Sequence, residues 1–222
     1  MFVFSDIETE GLGVHSPLLQ IAAVSEDDRE FNVYINPRKE LALGCTNFCG
    51  FYYYRNQLYR DGQPLPTVRL RQGLLQFCRW LESLGEEVSL VFHNGFSFDC
   101  FFIAKCLKNQ NLQLPSNTKI VHDSLPCLRK TLKDPAPPNF KLTTLAEHFE
   151  IPTLKAHDAL SDSRVLRGIC EKAAIQQEKT LQELLGLSTR PFQQYLDKYD
   201  EKNKTRKPLP NPGDSKTDTI KP

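Results

Sequence analysis

Three strand-like runs fill the first 36 residues: Phe2 to Glu8, Leu18 to Ser25 and Arg29 to Asn36. The gaps between them are too short for the crossover that parallel neighbours require, so they read as an antiparallel meander. Gly11, Gly13 and Pro17 punctuate the first gap, and Glu26-Asp27-Asp28 fills the second. After an irregular stretch from Pro37 to Pro66 the pattern changes. Leu70, Leu74, Phe77, Cys78, Leu81 and Leu84 recur at helical spacing, and Gly85 stops the helix. Val88 to Phe92 reads as a fourth strand, Asp99 to Leu107 as a helix, and Ile120 to Asp123 as a short fifth strand. Pro135, Pro137 and Pro138 mark a loop; Thr144 with Glu147 reads as a capping box, and a long helix starts near Ala159. An antiparallel start followed by alternating strands and helices predicts an α/β fold with a mixed five-stranded sheet flanked by helices.

Composition narrows the class. With 40% hydrophobic and 25% charged residues, the 222-residue chain matches an ordinary globular domain. A chain of this length buries roughly 70% of the surface it exposes when unfolded, without disulfide or metal staples. Lys and Arg number 28 against 27 Asp and Glu, so net charge alone names no partner. No apolar run approaches the ~18 residues of a membrane span, and the first strand leaves no room for a signal peptide. We therefore expect no membrane association and an intracellular location, nuclear or cytoplasmic. The seven cysteines are irregularly spaced without a C-x-x-C pair, which predicts reduced thiols rather than a disulfide framework or zinc site. Residues 1–200 read as one domain. Residues 201–222 read as a basic, proline-containing disordered tail, whose Lys202-x-Lys204-x-Arg206-Lys207 cluster suits either nuclear targeting or a solvated linker.

The chemistry lies in the acidic residues. Asp6 and Glu8 end the first strand, and strand residues two apart share a face, so both carboxylates project together. Such a pair is either a solvated strand end or a site needing a cation to offset its charge. Asp99 follows the strand Leu90 to Phe92 and the turn His93-Asn94-Gly95, as a helix N-cap or as a site acid at a strand's C-terminal end. His157 and Asp162 are five apart, a spacing that would point them about 140° apart on one helix. They converge if His157 precedes the helix and Asp158 is its N-cap. Four carboxylates and a histidine on compatible elements make a phosphoryl-transfer site once two Mg²⁺ or Mn²⁺ neutralise them.

These residues resemble a known family. Asp6-Ile7-Glu8-Thr9, His93-Asn94-Gly95 leading to Phe98-Asp99, and His157-x4-Asp162 resemble the three motifs of the DEDDh 3′→5′ exonucleases, of ribonuclease-H-like fold. The H-N-G form is most similar to the three-prime repair exonucleases and to the exonuclease-like C-terminal region of promyelocytic leukaemia proteins. The resemblance spans about residues 1–186. It implies a metal-dependent enzyme that releases nucleoside 5′-monophosphates from single-stranded or frayed DNA 3′ ends. Asp6, Glu8 and Asp162 would hold a first cation, Asp6 and Asp99 a second, and His157 would act as general base. Thr9, Glu10, Gly11 and Leu12, with His93 and Asn94, would bind the terminal nucleotide. A homodimer is compatible with the resemblance. It also leaves two alternatives: a catalytically silent interaction module, and an RNA-trimming exoribonuclease. Tyr52, Tyr53 and Tyr54 read as base-stacking groups or as filler, and Arg69, Arg71, Lys105 and Lys108 as phosphate contacts or a solvated face.

Overall fold

The computed structural model describes residues 1–13, 15–85, 87–153 and 157–204. Strands β1 (Phe2–Thr9), β2 (Leu18–Ser25) and β3 (Glu30–Ile35) form the expected meander, in a register that sets Asp6 opposite Ala22 and Glu8 opposite Gln20. Next come helix α1 (Leu43–Cys49) and strands β4 (Phe51–Tyr54), β5 (Gln57–Arg60) and β6 (Gln63–Pro64). These three strands form a small separate sheet. The stretch that shows no clear periodicity in sequence is thus a folded insertion, built on Phe51 and Leu58 with Cys45 and Cys49.

A two-residue strand, β7 (Thr67–Val68), returns to the edge of β3 and leads into helix α2 (Leu70–Ser83). The chain then crosses to the other side of β1, where β8 (Val88–Phe92) pairs parallel with it. Helix α3 (Asp99–Asn109) leads to β9 (Thr118–Asp123), parallel to β8. Helices α4 (Ser124–Thr131), α5 (Leu142–His148), α6 (Ala159–Gln176) and α7 (Leu181–Leu185) follow, then β10 (Thr189–Pro191) on the edge of β9 and helix α8 (Gln193–Lys204). The sheet order is β10-β9-β8-β1-β2-β3-β7. The five expected strands are its middle, extended by two edge strands too short to show alternation in sequence. Helix α8 runs across the domain boundary drawn at residue 200, while residues 205–222, most of the expected tail, lie outside the described residues.

Alternation along β1 sets up the site. Val3 and Ile7 join the core under α2 and α3, whereas Phe2 and Phe4 pack with Leu166 and Cys170 of α6. Asp6 and Glu8 continue that second face beyond the apolar part. Because β1 and β8 are parallel, their C-terminal ends share one edge of the sheet. There β8 ends one residue past the Phe4–Val91 pair, so the loop of residues 93–98 starts beside Asp6.

Candidate active site

Asp6, Glu8 and Asp162 come together: each offers a ligand atom, all within 4.8 Å of one another. The first two come from β1 and the third from the first turn of α6. Asp158 is the α6 N-cap, its carboxylate accepting from Ser161 N at 3.0 Å. His157 stands before the helix with φ 63°, and its backbone N–H donates to Asp162 Oδ2 at 3.1 Å. The left-handed backbone at His157 turns the chain into the helix, so His157 and Asp162 do not share one regular helical repeat.

Asp99 is buried in the first turn of α3, whose N-cap is Phe98 rather than Asp99. It lies outside the tight trio, yet its charge is the largest electrostatic influence on Asp6. Burial comes first for all four carboxyls. It holds Asp6 well above its ordinary value, with Asp99, Glu8 and Asp162 adding to the rise. Burial and Asp162 push Glu8 to about 9. Asp99 rises to about 7 and Asp162 to about 6, burial again leading. Buried carboxylates that raise one another cannot all ionise at neutral pH without a counter-cation. Three hard oxygen donors in such a cluster fit Mg²⁺ or Mn²⁺.

The loop after β8 is built by a residue that local sequence patterns do not single out. Buried Asp123, at the end of β9, accepts from Asn94 N at 2.8 Å and Phe96 N at 3.1 Å, and caps α4 through Leu125 N at 3.0 Å. Its one legible signal is the cap-like Asp123-Ser124 pair. Asn94 is exposed with φ 62°. The His93 ring is engaged at both nitrogens, with Ser124 Oγ and with the Phe140 carbonyl, each at 2.8 Å. Burial holds its pKa down.

After Glu8, Thr9 Oγ1 donates to the Gly11 carbonyl at 3.0 Å, and Leu12 is 85% exposed. Glu10 faces the insertion: it accepts from Lys39 Nζ at 2.6 Å and from Ala42 N at 2.9 Å.

Arg60, at the end of β5, reaches the site from the insertion, and nothing in its sequence neighbourhood marks it. It is 6% exposed and lies over the Phe51 ring at 5.0 Å. Its Nη1 donates to the Asp158 carboxylate, and its Nη2 to the His157 carbonyl at 2.8 Å. Tyr34 Oη also reaches Asp158 Oδ2, at 3.5 Å, while buried Gln20 accepts from Ala159 N at 3.2 Å. The start of α6 is thereby tied to β2, β3 and the insertion. Burial, with the Arg60 charge, lowers the His157 pKa and keeps its imidazole neutral at pH 7.

No protein-family model matches the chain. It is 29% identical over 196 residues to exonuclease DPD1, chloroplastic/mitochondrial, of Arabidopsis thaliana, covering 82% of this chain and 59% of that protein. It is 30% identical over 168 residues to the PolC-type DNA polymerase III of Caldanaerobacter subterraneus, covering 73% of this chain and 11% of the polymerase. Among solved structures, E. coli exonuclease I in complex with a dA16 oligonucleotide aligns with TM-score 0.62 at 16% identity, over 84% of this chain and 42% of that one. Exonuclease I of Methylocaldum szegediense aligns with TM-score 0.64 at 14% identity, over 82% and 42%. The chain thus spans under two thirds of each of these relatives. In sequence the chain is similar to an organellar exonuclease and to part of a PolC-type polymerase, and it shares the fold of exonuclease I.

Proposed function

We propose that the protein is a metal-dependent 3′→5′ exonuclease that shortens DNA from its 3′ end. The observation that carries this is the trio of Asp6, Glu8 and Asp162, gathered within 4.8 Å and held above ordinary carboxyl values. In this reading Asp6, Glu8 and Asp162 hold one divalent cation, and Asp6 with Asp99 a second, as Mg²⁺ or Mn²⁺. Bound there, the cations would supply charge neutralisation and activation of water at neutral pH. His157, neutral at pH 7, takes the proton from the water that attacks the terminal phosphodiester. The 3′ oxygen of the preceding nucleotide departs, and a nucleoside 5′-monophosphate is released.

Thr9, Glu10, Gly11 and Leu12 make the edge against which the terminal nucleotide rests, with exposed Leu12 suited to wedge under its base. Asn94, exposed in the loop after β8, is assigned to the same nucleotide. His93 serves by holding the loop, since both ring nitrogens are used within the protein. Within the exonucleases we read the H-N-G form as nearest to the three-prime repair enzymes. The chain's seven free cysteines suit a reducing, intracellular compartment. No helix among the described residues is long and apolar enough to cross a membrane.

The test is digestion of a 5′-labelled DNA strand with Mg²⁺ or Mn²⁺, beside Asp162→Ala and an EDTA control. A ladder shrinking from the 3′ end, absent from both controls, is the expected result. A folded protein that leaves every DNA and RNA strand intact would overturn the reading; RNA digested in preference to DNA would change its substrate.

A further inference from the structure

Charge is segregated along this chain. Residues 41–81 contain five arginines, Arg55, Arg60, Arg69, Arg71 and Arg79, against one acid, Asp61, although the whole chain carries +1. Arg60 turns inward to the His157 segment. Arg69, Arg71 and Arg79 are exposed, and Arg38 joins them from the end of β3.

Three adjoining clefts trace these residues. The first, about 450 Å³, is lined by Arg38, Arg69 and Arg71 over Pro17, Leu18 and Ile35. The second, about 400 Å³, shares Asn36, Arg38 and Arg69 with the first and adds Tyr53. The third, about 300 Å³, runs from Arg69 and Arg71 to Arg79. From Arg71 to Arg79 is eight helical residues, about 12 Å. The track begins at the same edge of the sheet as the site, on the α2 face: Leu18 pairs with Thr9, the residue after Glu8, and packs with Ile7 and Leu74.

Several basic groups elsewhere on the surface are compensated. Arg29 pairs with Asp27, Arg164 with Glu30, Arg167 with Asp28 and Lys108 with Asp200. Lys105 lies over the Phe102 ring at 3.9 Å. Among the described residues, Arg38, Arg69, Arg71 and Arg79 have no carboxylate in ion-pair range. Four neighbouring guanidiniums without internal partners repel one another, and a polyanion relieves that repulsion.

We propose that Arg38, Arg69 and Arg71, continued by Arg79, form a docking track for the phosphodiester backbone of a polynucleotide strand, upstream of the 3′-terminal nucleotide. This rests on the exonuclease reading for which end of the strand lies at the carboxylates. Contacts to phosphate alone carry no sequence information, so the track binds strands irrespective of base sequence. It also explains how a chain of nearly neutral net charge approaches a polyanion beside an acidic cluster: the attraction is local.

The test is the salt dependence of binding. A fluorescein-labelled oligothymidylate is titrated in EDTA, where nothing is cleaved, with the wild type, with Arg38→Ala/Arg69→Ala/Arg71→Ala, and with the corresponding triple Lys variant. Each phosphate contact to a single strand contributes about −0.7 to the slope of log affinity against log salt. The Ala variant should therefore lose about 2 from the slope. Between 50 and 200 mM salt the wild type should weaken about 20-fold more than the variant. The Lys variant should keep the wild-type slope. In digestion assays the Ala variant's KM deficit should grow with strand length.

Equal affinity and slope for wild type and Ala variant would overturn the track while leaving the exonuclease reading intact. Steep, arginine-dependent binding by a protein that digests nothing would retain the track and overturn the exonuclease reading. Displacement of the oligonucleotide by polyglutamate at equal charge concentration would overturn the assignment to a phosphodiester strand. All four arginines are exposed, and an unchanged thermal midpoint verifies that the variants fold.

Discussion

Arg60 donates from Nη2 to the backbone carbonyl of His157 at 2.8 Å, joining residues 97 apart in sequence. The same guanidinium holds the carboxylate of Asp158, the cap of α6, so one side chain fixes both the loop carrying His157 and the helix carrying Asp162. Arg60 does this from a hairpin outside the main sheet. The insertion therefore has a structural part in the site.

Replacing Arg60 with Ala leaves the His157 carbonyl without that donor and removes a positive charge that lowers the His157 pKa. Activity should fall about 10–100-fold, the range for residues that orient catalytic groups. The acid limb of the pH–rate profile should move to higher pH, since His157, Glu8 and Asp162 each lose a nearby cation that lowers their values. Arg60→Lys should restore the limb's position but only part of the rate, because an ammonium cannot reproduce the planar fork. A profile unmoved in Arg60→Ala would show that Arg60 serves stability alone.

The raised carboxyls predict how cations stabilise the protein. Each folded value lies above the unfolded one near 4, so the folded chain retains protons that the unfolded chain has released. That contribution to stability is complete below about 4 and is lost as pH passes about 6 for Asp162, 7 for Asp99 and 9 for Glu8. Cations compete with those protons, so Mg²⁺ or Mn²⁺ should raise the thermal midpoint more at pH 8 than at pH 5. Asp6→Asn should diminish the shift at pH 8. Equal shifts at both pH values would sink the cation-site reading.

His157→Ala removes the proposed base without touching a carboxylate of the trio. The rate should drop about 10²–10⁴-fold, while the cation-induced thermal shift at pH 8 should persist. Loss of both together would instead assign His157 to holding the site.

Gly95 marks a close approach in the loop after β8. A Cβ there would lie 2.2 Å from Phe92 Cβ and 2.8 Å from Phe92 Cγ, atoms fixed near the β8 backbone. The Gly95 carbonyl accepts from Cys100 N at 3.0 Å, so a shift of the loop reaches the start of α3 and Asp99. Gly95→Ala should destabilise the protein by about 2 kcal/mol, within the range for overpacking. In a protein of this size that is about 4–8 °C in thermal midpoint. Activity should fall even where the protein stays folded. An unchanged midpoint would show that Phe92 can give way.

Short-range rules account for what the sequence alone determined. Period-two alternation put Asp6 and Glu8 on one face of β1, and Asp158 was recognisable as the cap dividing His157 from Asp162. Strand and helix periods also specified the order of the central elements, because each depends on residues a few positions apart. The same rules misplaced a cap. Thr144 and Glu147 have the capping-box pattern, but α5 starts earlier, at Leu142, and the box forms instead at Thr180 and Glu183 of α7. Tertiary structure alone decided the rest. Edge strands β7 and β10 exist through pairing with β3 and β9, and are too short to leave a pattern. Asp123 acquires its loop-holding part only when β9 lies beside β8. Arg60 acquires its own only when the insertion folds back over α6. Such contacts join residues tens of positions apart, where no local periodicity records them, and only the packed chain brings their charges and backbone groups within reach.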